Sequence, residues 1–424
     1  MAPFRPDPTL LSGIERPLPE GFAVLHPTVA WAAFGLAALV FSASLLAVAK
    51  PPTHTLWKLS ILVIEAGHLL APLCLLPAPV VFFAGGPGKA AAVLFLVSAC
   101  LLITPLARAQ AASARLLESY SASVGRGMGP RDLGRPRPIV RQELFSGVPA
   151  ASAAPKPMVY ARLEGRELKL DYYAPAKASL GTTGRAPCVV VVHGGGWDSG
   201  DRGQMAPLNA YLASAGYAVA SLDYRLAPGH VYPAPVEDVV SALDFLRAGA
   251  DDLGIDPARF ALLGRSAGGQ IALQAAYFPS RAPAVRGVIA FYAPADMVFG
   301  YSLPTSPLIM DSRKVMEQYL GSSYPEHPEK YTASSPLAQV GENSPPTLLL
   351  HGRRDVLVSF RHTEHLRARL AELGVKHFVV DLPWAAHGFD YVFRGPGSQI
   401  GLYFIERFLA EVMDGNAGPG FKRP

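Results

Sequence analysis

Three polar residues in this chain, Ser266, Asp355 and His387, stand where short apolar runs end, and their types can together build a nucleophile. Ser266 lies in Gly264-Arg265-Ser266-Ala267-Gly268-Gly269, between the apolar run Phe260-Ala261-Leu262-Leu263 and a helix-like stretch over 270–276. A strand, a glycine-bounded turn and a helix are the context in which G-x-S-x-G has a mechanism. The turn is so tight that the flanking positions 264 and 268 must lack side chains. It would hold a hydroxyl above a sheet at a helix N-terminus, where negative charge is favoured. A serine hydroxyl attacks poorly unless a base takes its proton, and the base works best when a third group orients it. Asp355 ends His351-Gly352-Arg353-Arg354-Asp355, which follows the run 347–350; His387 sits in Ala386-His387-Gly388-Phe389, after the run 377–382. Each has a plain alternative as a turn or surface residue. Their joint occurrence favours nucleophilic catalysis.

A fourth run, Cys188-Val189-Val190-Val191-Val192, leads into His193-Gly194-Gly195-Gly196-Trp197. Consecutive glycines let backbone N–H groups converge on one concavity, which a developing oxyanion needs. A phosphate-binding loop would need a following Gly-Lys-Ser/Thr, and none is present. No set of side chains has metal-ligand spacing, so neither a metal nor a cofactor is expected.

The elements that must position these residues alternate in type. Runs at 158–163 and 167–173, joined at Glu164-Gly165-Arg166, read as an antiparallel hairpin. Further strands are expected at 188–192, 217–222, 260–263, 285–292, 347–350 and 377–382, and helices over about 204–214, 236–247, 360–373 and 400–413. Such alternation predicts an α/β domain with a doubly wound, mostly parallel sheet, whose sites lie at the C-terminal strand ends. The stretch 293–340 is an insertion holding Met297, Phe299, Tyr301, Leu303, Leu308, Ile309 and Met310. It reads as an apolar cap over substrate or a surface that touches a bilayer.

The chain of 424 residues is 50% apolar, and the excess is concentrated before residue 108. Three uncharged or nearly uncharged stretches, 29–49, 59–83 and 90–107, are long enough to span a bilayer core of roughly 30 Å as helices. The second carries Glu65, His68, Pro72, Pro77 and Pro79, and is either a span or a re-entrant segment. Glu65 and His68 share a helix face; a mutual hydrogen bond buried between spans is the expectation, a proton or ligand role the alternative. Arginines crowd the region after the third stretch, which places the C-terminal domain on the cytoplasmic side of a multi-pass cell-membrane protein. The expected organisation is thus an irregular segment 1–28, a three-span region 29–107, a basic flexible linker 108–157, a catalytic domain 158–414 and a tail 415–424.

The net charge of +5 is mild and excludes no partner by itself, but without a clustered basic face it does not suggest nucleic acid. Three cysteines, scattered through apolar runs, offer no disulfide framework. Nothing here bears on oligomeric state.

The order Ser266, Asp355, His387, with the His193–Trp197 loop before them, Asp223-Tyr224-Arg225-Leu226-Ala227-Pro228 and His387-Gly388-Phe389, resembles the hormone-sensitive-lipase-like carboxylesterases of the α/β-hydrolase fold. The resemblance runs over about 158–414 and says nothing of the spans. It implies Ser266 as nucleophile, His387 as base, Asp355 as its orienting acid, and Gly195, Gly196 and Ala267 N–H groups as the oxyanion hole. It also implies a small-molecule ester as substrate; the membrane region suggests a lipid-derived one. An amidase or formamidase could use the same triad, and a ligand sensor on the same fold is the reading from another class. Arg265 departs from the family, where this position is often acidic. It could pair with a carboxylate, help hold substrate, or raise the field at Ser266. The Asp223-Tyr224-Arg225 group is expected to be structural.

Overall fold

The computed structural model describes residues 26–124, 135–149, 154–163, 165–176, 185–278 and 285–413. The expectations for the N-terminal segment before residue 26 and for the tail 415–424 lie outside them.

The valine run forms β3 (Ala186–Val192), buried at every position. A strand so apolar needs cover on both faces and partners on both edges. It has both. β3 pairs in parallel with β4 (Ala218–Leu222) and with β5 (Ile255–Arg265). Val190 and Val192 face one core with α7 (Ala234–Ala248) and α9 (Ala267–Tyr277). Val189 and Val191 face the other, with α6 (Ala206–Ser214) and α15 (Pro396–Met413). The period-two alternation of a strand thus serves two helical layers at once.

The whole sheet has eight strands in the order β1-β2-β4-β3-β5-β6-β7-β8. The expected hairpin is present as antiparallel β1 (Lys156–Leu163) and β2 (Arg166–Tyr173), and β2 pairs antiparallel with β4. From β4 onward all pairing is parallel, through β6 (Gly287–Phe291), β7 (Thr347–Gly352) and β8 (His377–Leu382). The α/β-hydrolase arrangement expected from the sequence is therefore the one the chain adopts. The insertion carries short helices α10 (Met297–Ser302), α11 (Ser312–Leu320), α12 (Pro328–Ala333) and α13 (Pro336–Gln339). Helix α14 (Arg361–Glu372) follows β7.

Three N-terminal helices are long and apolar enough to cross a membrane: 27–47, 54–75 and 86–121. The first contains α1 (Pro27–Ser44); α2 (His54–Leu75) stops before Pro77, and a short α3 (Pro77–Phe82) continues its path. A proline ends a helix because its ring lacks the N–H and crowds the preceding turn. Helix α4 (Gly86–Val124) has 39 residues, about 58 Å at 1.5 Å per residue, nearly twice a bilayer core. Its second half packs differently from its first. Ala109, Ala112, Leu116 and Tyr120 are buried with core residues of the α/β domain. The basic linker expected from residue 108 therefore differs from what is seen: 108–124 extend α4. Arg135, also inside that stretch, is buried against Gln399 and Glu143, and 141–146 form α5 (Arg141–Ser146). Apolar spacing at 109, 112, 116 and 120 is helical, and its weight was masked by the surrounding arginines and serines.

Glu65 and His68 differ from expectation as well. Both are buried on α2, but each takes its own backbone partner: Glu65 accepts from Gly397 N–H at 2.8 Å, and His68 Nε2 lies 3.0 Å from the Leu144 carbonyl. Glu65 ties α2 to the α/β domain and His68 ties it to α5, rather than span to span.

Candidate active site

The four strand ends that carry the sequence-predicted residues converge because β3, β5, β7 and β8 run parallel within one sheet. Between β5 and α9 the chain reverses at Ser266, whose φ of 53° and ψ of −121° are rare for a residue with a side chain. The glycines make the reversal possible. A Cβ at Gly264 would collide with the Gly268 backbone, and one at Gly268 with the carbonyls of Val192 and His193. The elbow is thus pressed against the end of β3, which brings the glycine loop beside the serine.

Ser266 Oγ lies 3.1 Å from His387 Nε2, and His387 Nδ1 lies 2.6 Å from Asp355 Oδ2. The other Asp355 oxygen accepts N–H bonds from Leu357 and Val358, both 2.8 Å long. His351, at the end of β7, approaches Asp355 Oδ2 to 3.2 Å. Burial alone would raise the Asp355 carboxyl, but the facing His387 charge and bonds from His351 and His387 override it. The group is held below the usual carboxylate range. An acid ionised at neutral pH beside Nδ1 fixes the tautomer that leaves Nε2 free toward the serine.

The glycine loop is shaped for donors. Gly194 N–H is committed to Gln204 Oε1 at 2.8 Å, while Gly195 and Gly196 adopt φ of 125° and 60°, which side chains rarely allow. His193 stacks on Tyr224 at 4.3 Å, and the Tyr224 hydroxyl donates to its carbonyl. Asp223 bonds Arg202, and Arg225 bonds Asp238 at 2.9 Å, so this group braces the loop.

Arg265 has found a carboxylate. It bonds Asp390 and lies over the Tyr391 ring at 4.6 Å. Burial by itself would lower the guanidinium pKa; Asp390 reverses that and raises it. The Tyr292 hydroxyl donates to the same Asp390, and the Tyr292 ring lies 4.2 Å from the His387 ring. Of the three readings left open by sequence, pairing with a carboxylate is the one the geometry supplies. That Asp390 sits three positions after His387 was visible, but no pattern marked it as a partner for position 265.

A cavity of about 690 Å³ opens over Ser266 and His387. The insertion contributes Met297, Leu303, Ile309 and Met310 to its wall, and His362 of α14 lines it too. Burial, then the neighbouring His351, pushes His362 down to about 3, so it is neutral and accepts from Asp296 N–H at 3.2 Å. A further part of the wall was not foreseen. It is made by Lys50, His54, Trp57 and Lys58, from the turn before α2 and its first turns. Among the described residues no cluster of His, Cys, Asp and Glu could hold a metal ion.

The BD-FAE family model matches residues 170–370. The chain is similar to the probable carboxylic ester hydrolase LipM of Mycobacterium tuberculosis, 29% identical over 261 residues, or 58% of this chain and 59% of LipM. It is 31% identical over 244 residues to esterase LipC of the same organism, covering 54% of this chain and 59% of LipC. The chain thus spans about six-tenths of the length of these curated relatives. Among solved structures, a bacterial heroin esterase superposes with a TM-score of 0.54 at 26% identity, over 70% of this chain and 90% of that one. A thermophilic esterase of Thermogutta terrifontis gives 0.52 at 25% identity, over 69% and 100%. Family model, relatives and structural neighbours agree with the glycine loop, elbow and strand order: the chain has the α/β-hydrolase fold and is similar to carboxylic ester hydrolases.

Proposed function

We propose that the chain is a membrane-anchored serine esterase that cleaves apolar, lipid-derived carboxylic esters on the cytoplasmic face. The observation that carries this reading is the continuous series Ser266–His387–Asp355, with contacts of 3.1 and 2.6 Å, lining a cavity that Leu303, Ile309 and Met310 also line. Ser266 Oγ attacks the ester carbonyl as His387 Nε2 takes its proton. The C–O bond to the alcohol then breaks, and His387 returns the proton to the leaving oxygen. Water, deprotonated by His387, attacks the acyl carbon; the bond to Ser266 Oγ breaks, His387 returns the proton to Oγ, and the acid leaves. Gly195, Gly196 and Ala267 N–H groups receive the oxyanion, each worth roughly 10²–10³ in rate. Asp355 holds the imidazole and balances its charge.

Three apolar helices support the anchoring, and the arginines after the third support the cytoplasmic side. The apolar wall from Leu303, Ile309 and Met310 supports an acyl or alcohol group of low polarity. The test is labelling of the membrane-bound chain with a fluorophosphonate, with Ser266→Ala as control, followed by an ester panel varying acyl length. Labelling that survives Ser266→Ala would sink the triad; turnover confined to short soluble esters would sink the lipid-ester part. A reporter fused at residue 150 reads the sidedness.

A further inference from the structure

Trp57, Ile61, Glu65 and His68 recur at successive turns on one face of α2. In a helix that merely tethers a domain, that face would have no reason to meet the reaction centre. Here it does. Trp57 Nε1–H donates to the backbone carbonyl of His387 at 3.1 Å, and the two rings lie 6.2 Å apart. A Cβ at Gly388 would stand 3.2 Å from Ile61 Cδ1, so Ile61 packs directly on the next residue. Glu65 accepts from Gly397 N–H further along the same segment. From the other side, Arg354, next to Asp355, donates to the carbonyls of Leu46, Ala47 and Ala49. Those carbonyls close the end of the first apolar helix, where helical acceptors lack intrahelical partners and a cation is favoured. Both the base and its acid are therefore pinned, one residue or less away, to the N-terminal helical region.

We infer that Trp57 is a positioning residue for His387, so that the helical region is a working part of the active site and not only an anchor. This rests on the triad reading above. His387 lies in a loop after β8, held on its inner side by Asp355. The loop's height over Ser266 is set by what bears on its backbone, and Trp57 supplies the indole N–H there. A shift of a few tenths of an ångström in Nε2 would weaken proton transfer while leaving the cavity's capacity for substrate intact.

The experiment uses the full chain in detergent micelles, with kcat expressed per serine titrated by a fluorophosphonate. Trp57→Phe keeps the ring and removes the N–H. It is expected to lower kcat about tenfold on a short ester, with KM within twofold and the thermal midpoint nearly unchanged; the fluorophosphonate labelling rate should fall by the same factor. Trp57→His, which can restore a ring N–H, should recover part of the loss. Leu39→Ala, on an exposed face of α1, is the control and should match wild type. Wild-type kcat in Trp57→Phe, with Ser266→Ala inactive, overturns the inference and leaves the triad standing. Activity in Ser266→Ala overturns the triad itself. Should Trp57→Phe not fold, Ile61→Ala decides: a severalfold fall in kcat per titrated serine supports the inference, and wild-type kcat overturns it.

Discussion

Strand β3 and helix α1 contain no charged residue, yet they treat their large side chains in opposite ways. In β3 every valine is buried against a neighbouring helix or strand. In α1 the buried residues are the small ones, Ala30, Ala37 and Ser44, while Leu39 is 68% exposed and Trp31 62%. Water would drive the reverse arrangement, large residues inward. Small residues at the helix contact and large ones outside is what close packing produces when the surroundings are hydrocarbon. Leu76, Val80 and Phe83 continue the same outward pattern beyond α2. Absence of charge, then, has two meanings in one chain, and the size of the buried residue separates them.

The comparison can be broken most violently at the chemistry. Ser266→Ala or His387→Ala should lower kcat by about 10⁴ or more while leaving membrane retention unchanged, as read by ester turnover and carbonate extraction. A residual rate near wild type would detach the catalytic region from its assigned residues. Next comes polarity placed in each apolar region. Val190→Asp buries an unpaired carboxylate between two helical layers and should abolish folded protein, judged by resistance to limited proteolysis. Leu39→Asp should instead cost about 3 kcal/mol of membrane insertion while the detergent-solubilised chain still turns over ester. Size gives a smaller effect of reversed sign. Ala37→Leu should overpack the contact of α1 with its neighbours and cost about 1–3 kcal/mol, whereas Leu39→Ala should change the thermal midpoint little. A soluble helix would show the opposite ranking.

A pH dependence of the catalytic region is a further check. His362 falls from 6.5 to about 3 on folding, so below about 6.5 the unfolded chain binds the proton that the folded chain refuses. Stability from this group is complete above that pH and is lost as pH falls toward 3. Asp355, also held below its ordinary value, adds loss of the same sign at lower pH. His362→Gln should flatten the thermal midpoint between pH 6.5 and 4; an unaltered slope would assign the acid sensitivity elsewhere.

Much of this was legible along the chain because it depends on neighbours in sequence. A β-branched run bounded by glycines, an elbow that admits no Cβ at Gly264 and Gly268, and alternation of strand and helix all declare themselves within a few residues. The strand β8 occurs at the residues expected, and β3 begins only two residues earlier. What could not be read shares one property. The partner of Arg265 is 125 positions away at Asp390, and the partner of Trp57 is 330 positions away at His387. Helix α4 was cut short at residue 107 because its charges looked like a linker, and only the core it meets explains Ala109, Ala112 and Leu116.

Residue types and local spacing by themselves determined the sheet, the elbow and which side chains could serve as nucleophile, base, acid and oxyanion donors, since backbone sterics and hydrophobic periodicity act over short stretches. Tertiary structure alone decided that Glu65 and His68 each bond a distant backbone group instead of each other, that Arg265 answers to Asp390, and that a wall of the cavity comes from the helical region. Those outcomes depend on which surfaces meet once the apolar area is buried, and side-chain geometry settles that only after the backbone has closed.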